Sequence, residues 1–318
     1  MTTTKSDLDA APAWATRKAG GGDAVFKGTA FASACVILLA LAGVFVFLSL
    51  KGAQGFTQPT EVYQRGYGDS FIGYVLPLLG GTVIAAVIAL IIAVPLAIGI
   101  ALVITQYAPP WLASPVAYVI DLLAAVPSVI YGLWGGLFLA PKLVPVYQWF
   151  HDTLGFIPLF GKVATSGRSI STAGVVLAIM ILPIITAISR EVFARTPRLH
   201  REAALALGAT RWETIRMTVF PYGRSGVVSA VMLGLGRALG ETLAVVMVLS
   251  PGTIFTIDLF SGSNTPSIAA NVALKYSERS PGTLEVLIAT GLVLFVMTFV
   301  VNFAARYIVA RQERKFAV

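Results

Sequence analysis

Long apolar runs separated by short polar stretches set the pattern of this chain. No charged residue lies between Lys27 and Lys51, between Arg168 and Arg190, or between Glu285 and Arg306. Each window is about 20 residues or slightly more, the length an α-helix needs to cross ~30 Å of hydrocarbon. Ser70 to Ile120 is also free of charge but is too long for one helix. Pro109-Pro110 divides it into one span from Phe71 to Ile104 and another from Trp111 to Ala140, which carries Asp121. A further span covers Val227 to Leu249 and carries Arg237 and Glu241. The pattern predicts an all-α polytopic membrane protein with six transmembrane helices. Its predicted organisation is a disordered cytoplasmic tail over 1–25, a transmembrane domain over 26–310 with an inner loop at 194–221, and a short basic tail over 311–318.

Composition agrees with a lipid-facing surface. The 318 residues are 57% hydrophobic and only 12% charged, against roughly 25% in soluble domains. So few charges cannot cover a water-soluble fold of this size, whereas lipid needs no polar cover. About 25 mostly polar residues precede the first apolar run, which is too long for the core of a cleavable signal peptide. The net charge of +8 could suggest a nucleic-acid partner, but the distribution of Lys and Arg explains it through topology. With the N-terminus inside, the inner segments hold 15 basic residues and the outer ones seven, so both termini are expected in the cytoplasm. Cys35 is alone, and His151 and His200 have no ligand cluster at suitable spacing, which speaks against a disulfide or a metal site. The outer stretch from Pro141 to Ser169 places Tyr147, Trp149 and Phe150 beside Lys142 and His151, as a short interfacial helix would.

The inner loop reads as helix, tight turn, helix. Thr196 and Pro197 suit a helix start, and Gly208 suits its stop. Thr210 and Glu213 have capping-box spacing and open a second helix. There Trp212, Ile215 and Val219 share a face, and Pro221 ends or kinks the helix. The Ala-rich first helix has little side-chain bulk. It could seat in a groove on a partner and transmit a push, or the hairpin could simply pack against the bundle.

The fifth span poses a similar choice. Arg237 and Glu241 are four residues apart and share a helix face. Burying an arginine at mid-membrane costs roughly 2.5–3.5 kcal/mol, part of which pairing with Glu241 would offset. Gly236 and Gly240 form a small-residue face open to a close helix neighbour. The pair could lock helices together, or the guanidinium could meet a travelling anion. Asp121 could pair with a cation across a helix interface or face the same path. Pro127 is expected to kink the third span.

Glu202-Ala203-Ala204, with Gly208 and Pro221 at their spacings, resembles the EAA loop of ABC-importer permease subunits, although Thr218-Val219-Phe220-Pro221 departs from the usual ending at two positions. Gly236-Arg237-Ala238-Leu239-Gly240-Glu241-Thr242 is similar to the signature of phosphate-specific permeases. The run from Leu122 to Gly135 resembles the third-span segment of their PstC-type subunits. The resemblance implies a type I ABC importer permease fold and a membrane subunit forming half of a phosphate path in the plasma or inner membrane. It implies that Glu202, Ala203, Ala204 and Gly208 couple to an ATPase, and that Arg237 and Glu241 serve phosphate passage; Asp121 is a further candidate for the path as a charge within a span, not through the resemblance. It also implies a PstA-like second permease, a PstB-like ATPase dimer carrying ATP and Mg, and a PstS-like external binding protein.

Other readings remain on the sequence. No Walker A is present: Gly155 to Gly161-Lys162-Val163 has the wrong spacing and lacks the hydroxyl that holds Mg²⁺. No catalytic triad is apparent, so a transport subunit without its own cofactor is expected rather than an enzyme. A permease for sulfate or molybdate, or a proton-coupled transporter using Asp121 and Glu241, are the alternatives.

Overall fold

The computed structural model describes residues 21–64, 68–249, 252, 256–278 and 282–316; the predicted N-terminal tail lies mostly outside them. The chain separates into two units, 1–48 and 49–318. The first consists, where described, of helix α1 (Gly21–Gly52), which runs on into the second and has no charge between its two lysines.

The second unit holds helices and no strand among its described residues. A short helix α2 (Thr60–Gln64) precedes α3 (Phe71–Leu102), which Ser70 caps by accepting the Gly73 N–H. A wide π-helical turn (Val103–Tyr107) ends α3, and α4 (Pro110–Ala124) follows. Helix α5 (Ser128–Trp134), a second π turn (Gly135–Leu139) and α6 (Ala140–Leu154) then run on as one apolar helix. Helix α7 (Ile170–Ala194), capped by Ser169, is the most enclosed of the long helices. The inner loop holds α8 (Arg198–Ala206) and α9 (Arg211–Thr214), and a third π turn (Ile215–Val219) joins α9 to α10 (Phe220–Gly240). Helices α11 (Leu243–Val248), α12 (Ile268–Lys275) and α13 (Thr283–Phe316) complete the chain.

The core is the seam between α3 and α7. Ala85, Ala89, Ala93, Ala97 and Ala101 recur at every fourth residue of α3 and are all buried. A methyl stripe of this kind brings two helix backbones close, which favours dispersion and close packing where no hydrophobic force acts between helices. Val176, Leu177, Met180, Ile181 and Ile185 of α7 share one cluster with Ala85, Ala89, Ala93 and Ala97. Glycines let α10 approach α7: a Cβ at Gly226 would meet Val192 at 2.5 Å, and one at Gly234 would meet Ile185 at 2.8 Å.

Among the described residues five helices are long and apolar enough to cross a membrane, and two of the six predicted spans differ in form. The third does not run from Trp111 to Ala140. Val126 and Pro127 interrupt it, because a proline disfavours helical backbone in the residue before it, and α4, at 15 residues, is shorter than the ~20 residues a crossing needs. The segment long and apolar enough to cross is instead Ser128–Leu154. Residues 141–154 therefore continue the helix of that segment rather than form a separate one. Tyr147 is buried, stacks on Phe260 with ring centroids 4.5 Å apart and shares a hydrogen bond with Thr172. The aromatic residues pin loops together, although Trp149 stays exposed.

The fifth span is divided at Glu241-Thr242 into α10 and α11. At the far end, α13 extends past the predicted boundary to Phe316, through residues expected to form a tail.

Candidate functional site at the helix break and the inner hairpin

Helix α10 stops because Gly240 is a weak helix former and the chain after it finds another partner. Glu241 turns into extended backbone (φ −69°, ψ 128°), and its Oε1 accepts the Ala244 N–H at 3.2 Å. The carboxylate thus satisfies an otherwise unpaired donor in the first turn of α11, where an anion is also favoured by the helix dipole. The side chain is buried, at 9% exposure.

Glycines on the preceding segment make room for α11. A Cβ on Gly132 would lie 2.6 Å from the Ala244 Cα, one on Gly136 2.5 Å from the Met247 carbonyl oxygen, and one on Gly135 3.2 Å from Val248. The Tyr131-Gly132-Leu133-Trp134-Gly135-Gly136 run is therefore the bed on which the broken helix rests.

The expected Arg237–Glu241 pair does not form. The ion pairs of the described residues include Arg190–Asp121 and Arg195–Glu191, and Glu241 is in neither. The (i, i+4) argument assumes that the helix continues through position 241, and it does not. Arg237, in the last turn of α10, is exposed and has no ion pair or hydrogen bond among the described residues. Tyr131 is close enough to interact with it electrostatically, and the Tyr131 hydroxyl donates to the Leu123 carbonyl at 2.9 Å across the break between α4 and α5. Sequence reasoning missed Tyr131, although it lies within the motif already singled out. Gly236 and Gly240 are open: among the described residues nothing lies within 4 Å of where a Cβ on either would stand.

Asp121 is not with this group. It pairs with Arg190, Nη2 to Oδ2 at 3.2 Å, with side-chain exposures of 50% and 23%. The cation across a helix interface is thus present, four residues from the end of α7.

The inner hairpin forms much as its residues require. Gly208 has φ +85°, a left-handed conformation suited to glycine. The Gly208 N–H donates to Leu205 and the Ala209 N–H to Ala204, which together satisfy the last carbonyls of α8. The Thr210–Glu213 capping box is complete. Hydrogen bonds from the Thr210 backbone N–H and then its hydroxyl hold the Glu213 carboxyl below the ordinary range.

Thr196 does not cap α8. Pro197 occupies the cap position, and the buried Thr196 hydroxyl is unsatisfied. Pro221 does not end the second helix either. The π turn at 215–219 absorbs the missing donor, and the helix continues as α10. Glu202, Ala203 and Gly208 are exposed, while Ala204 is buried. Leu199, Leu207 and Trp212 are exposed apolar side chains on the same hairpin, so Trp212 does not share the buried face of Ile215 and Val219.

Comparison with known proteins places these features in a family. The sequence model described as binding-protein-dependent transport system inner membrane component matches residues 93–314. The chain is 45% identical over 303 residues to the phosphate transport system permease protein PstC 2 of Mycobacterium tuberculosis (strain ATCC 25618 / H37Rv), covering 92% of this chain and 93% of that one. It is 40% identical over 305 residues to the PstC protein of Mesorhizobium japonicum, covering 92% and 91%. Among solved structures, a bacterial ABC transporter involved in the import of the acidic polysaccharide alginate matches with a TM-score of 0.54 and 18% identity, over 91% of this chain and 96% of that one. At that identity the likeness concerns fold alone, and the fold is that of ABC-importer permeases. The chain belongs to the binding-protein-dependent transport system inner membrane components, as a transport subunit rather than an enzyme.

Proposed function

We propose that this chain is a permease subunit of an ATP-driven phosphate importer, and that Arg237 offers its guanidinium to phosphate in transit. The observation that carries the reading is the exposed Arg237 at the end of α10, which has no ion pair among the described residues. A cation at such a position is costly unless something compensates it, and a guanidinium matches an oxyanion with several donors at once. The names of the phosphate-transport relatives support phosphate as that oxyanion. Open Gly236 and Gly240 on the same helix suit the close approach of a second, PstA-like permease subunit, which would complete the path. Glu241 contributes by holding α11 in place rather than by neutralising the arginine. Asp121, tied to Arg190, belongs to the scaffold.

Energy would come from a PstB-like ATPase dimer holding ATP and Mg. The exposed Leu199, Leu207 and Trp212 around Glu202 and Ala203 suit docking of such a partner on the hairpin. The excess of basic residues in the inner segments supports a plasma-membrane topology with both termini cytoplasmic and the opposite loops receiving phosphate from a PstS-like protein.

The test is Arg237→Gln in the complete transporter. Phosphate uptake should be abolished while membrane insertion and co-purification of the partners persist. Uptake at the normal rate would refute the role. Unlabelled sulfate or molybdate should not compete with labelled phosphate in the wild type; effective competition would change the substrate assignment.

A further inference from the structure

Helix α11 rests on its glycine bed with a guanidinium near each end. At the first end Gly132 faces Ala244, and the neighbouring Tyr131 interacts electrostatically with Arg237. At the other end Gly136 faces Met247, and a Cβ on Gly136 would stand 3.7 Å from Arg168 Nη2. Helix α11 has six residues, so it is about 9 Å long at 1.5 Å per residue. Arg168 lies just before α7, which runs from there to the inner hairpin, and α10 returns from the hairpin to Arg237. The two arginines therefore follow one another along α11, with Arg168 at the end of the bundle away from the hairpin.

The backbone that carries Arg168 is held on both sides. Gly167 has φ +68°, and a Cβ there would run into the Ala140 carbonyl oxygen. The Gly167 carbonyl accepts from the buried Thr172 hydroxyl at 2.6 Å, and the Ile170 N–H donates to Asn264 Oδ1 at 3.2 Å. The Arg168 side chain is half-buried, yet it has no ion pair or hydrogen bond among the described residues. The C-terminal end of α11 attracts a cation, which accounts for a positive charge there but not for a guanidinium whose donors are unused. Donors partly withdrawn from water are unfavourable unless something engages them.

We propose that Arg168 is an entry station for phosphate, which holds the incoming anion before it passes along α11 to Arg237. The inference rests on the phosphate-permease reading and adds to it a second residue and a direction. A guanidinium suits an oxyanion through paired hydrogen bonds. Two successive stations suit transport better than one tight site, because a path must bind its ion well enough to admit it and weakly enough to release it.

The experiment uses the complete transporter in liposomes with the phosphate-loaded external binding protein, in a Cys35→Ala background. Labelled phosphate uptake by Arg168→Cys should fall roughly tenfold or more, as the loss of a charge-assisted hydrogen bond predicts. Treatment of that same protein with aminoethyl methanethiosulfonate, which puts back a positive charge, should restore uptake, and the sulfonatoethyl reagent should not. A misfolded variant could not be restored in this way. Arg168→Gln should lower the maximal rate without changing the binding-protein concentration that gives half of it, and Arg168→Lys should retain more uptake than Arg168→Gln. A rise in that concentration at an unchanged maximal rate would assign Arg168 to protein docking and overturn the proposal. Normal uptake by Arg168→Gln, or the same response to both reagents, would overturn it too. Arg237→Gln is measured alongside: normal uptake there sinks the phosphate-path reading itself, whereas an inactive Arg237→Gln beside a normal Arg168→Gln removes only the entry station.

Discussion

Arg237 and Glu241 stand four residues apart, yet they act on different things. The carboxylate is used by the backbone of α11, while the guanidinium is left for something outside the chain. Glu241→Leu should leave the Ala244 N–H buried without a partner, at a cost of about 1–3 kcal/mol, read as a lowered Tm of the purified protein. Glu241→Gln keeps an acceptor oxygen and should recover most of that loss. Asp121→Asn breaks a half-exposed ion pair and should cost no more than about 1 kcal/mol, with phosphate uptake near normal; collapse of uptake would put Asp121 on the path. A charge in an apolar run shows in the sequence that a partner is needed, but not which one. Arg190 lies 69 residues from Asp121, and only the packing of α4 on α7 brings them together.

Elements whose signals are local were the legible ones. The stop at Gly208 and the Thr210–Glu213 box need only neighbouring residues, and both formed. Gly208→Val forces a β-branched residue into the left-handed region, where even an ordinary residue costs roughly 1–2 kcal/mol. Phosphate-coupled ATP hydrolysis by the assembled transporter should fall in this variant, and Gly208→Asn should be milder because asparagine tolerates that conformation. Where prolines were read as breaks, the outcome depended on packing. Val126-Pro127 does end a helix and displaces the third crossing to Ser128–Leu154, whereas Pro221 is absorbed by a wide turn. Such differences rest on what lies against the helix and leave no mark at the proline itself.

For the molecule as a whole, the alternation of lipid-soluble and charged segments was readable because partition into a bilayer depends on each segment's own composition. Which faces meet was not readable. The alanine ladder of α3 and the bed of Gly132, Gly135 and Gly136 acquire meaning only with α7 and α11 in place. Ala93→Leu would drive α3 and α7 apart, and the overpacking should cost about 1–3 kcal/mol, seen as a lower Tm and loss of monodispersity; an unchanged Tm would remove that seam from the core. The wide turn at Ile215–Val219 has a consequence on the same scale. One surplus residue in a helix rotates everything beyond it by about 100°. From Arg211 to Gly240 the chain is a single rod interrupted only by that surplus. The compass bearing of the guanidinium near its tip is thus dialled at its base, beside the surface on which a motor subunit would press.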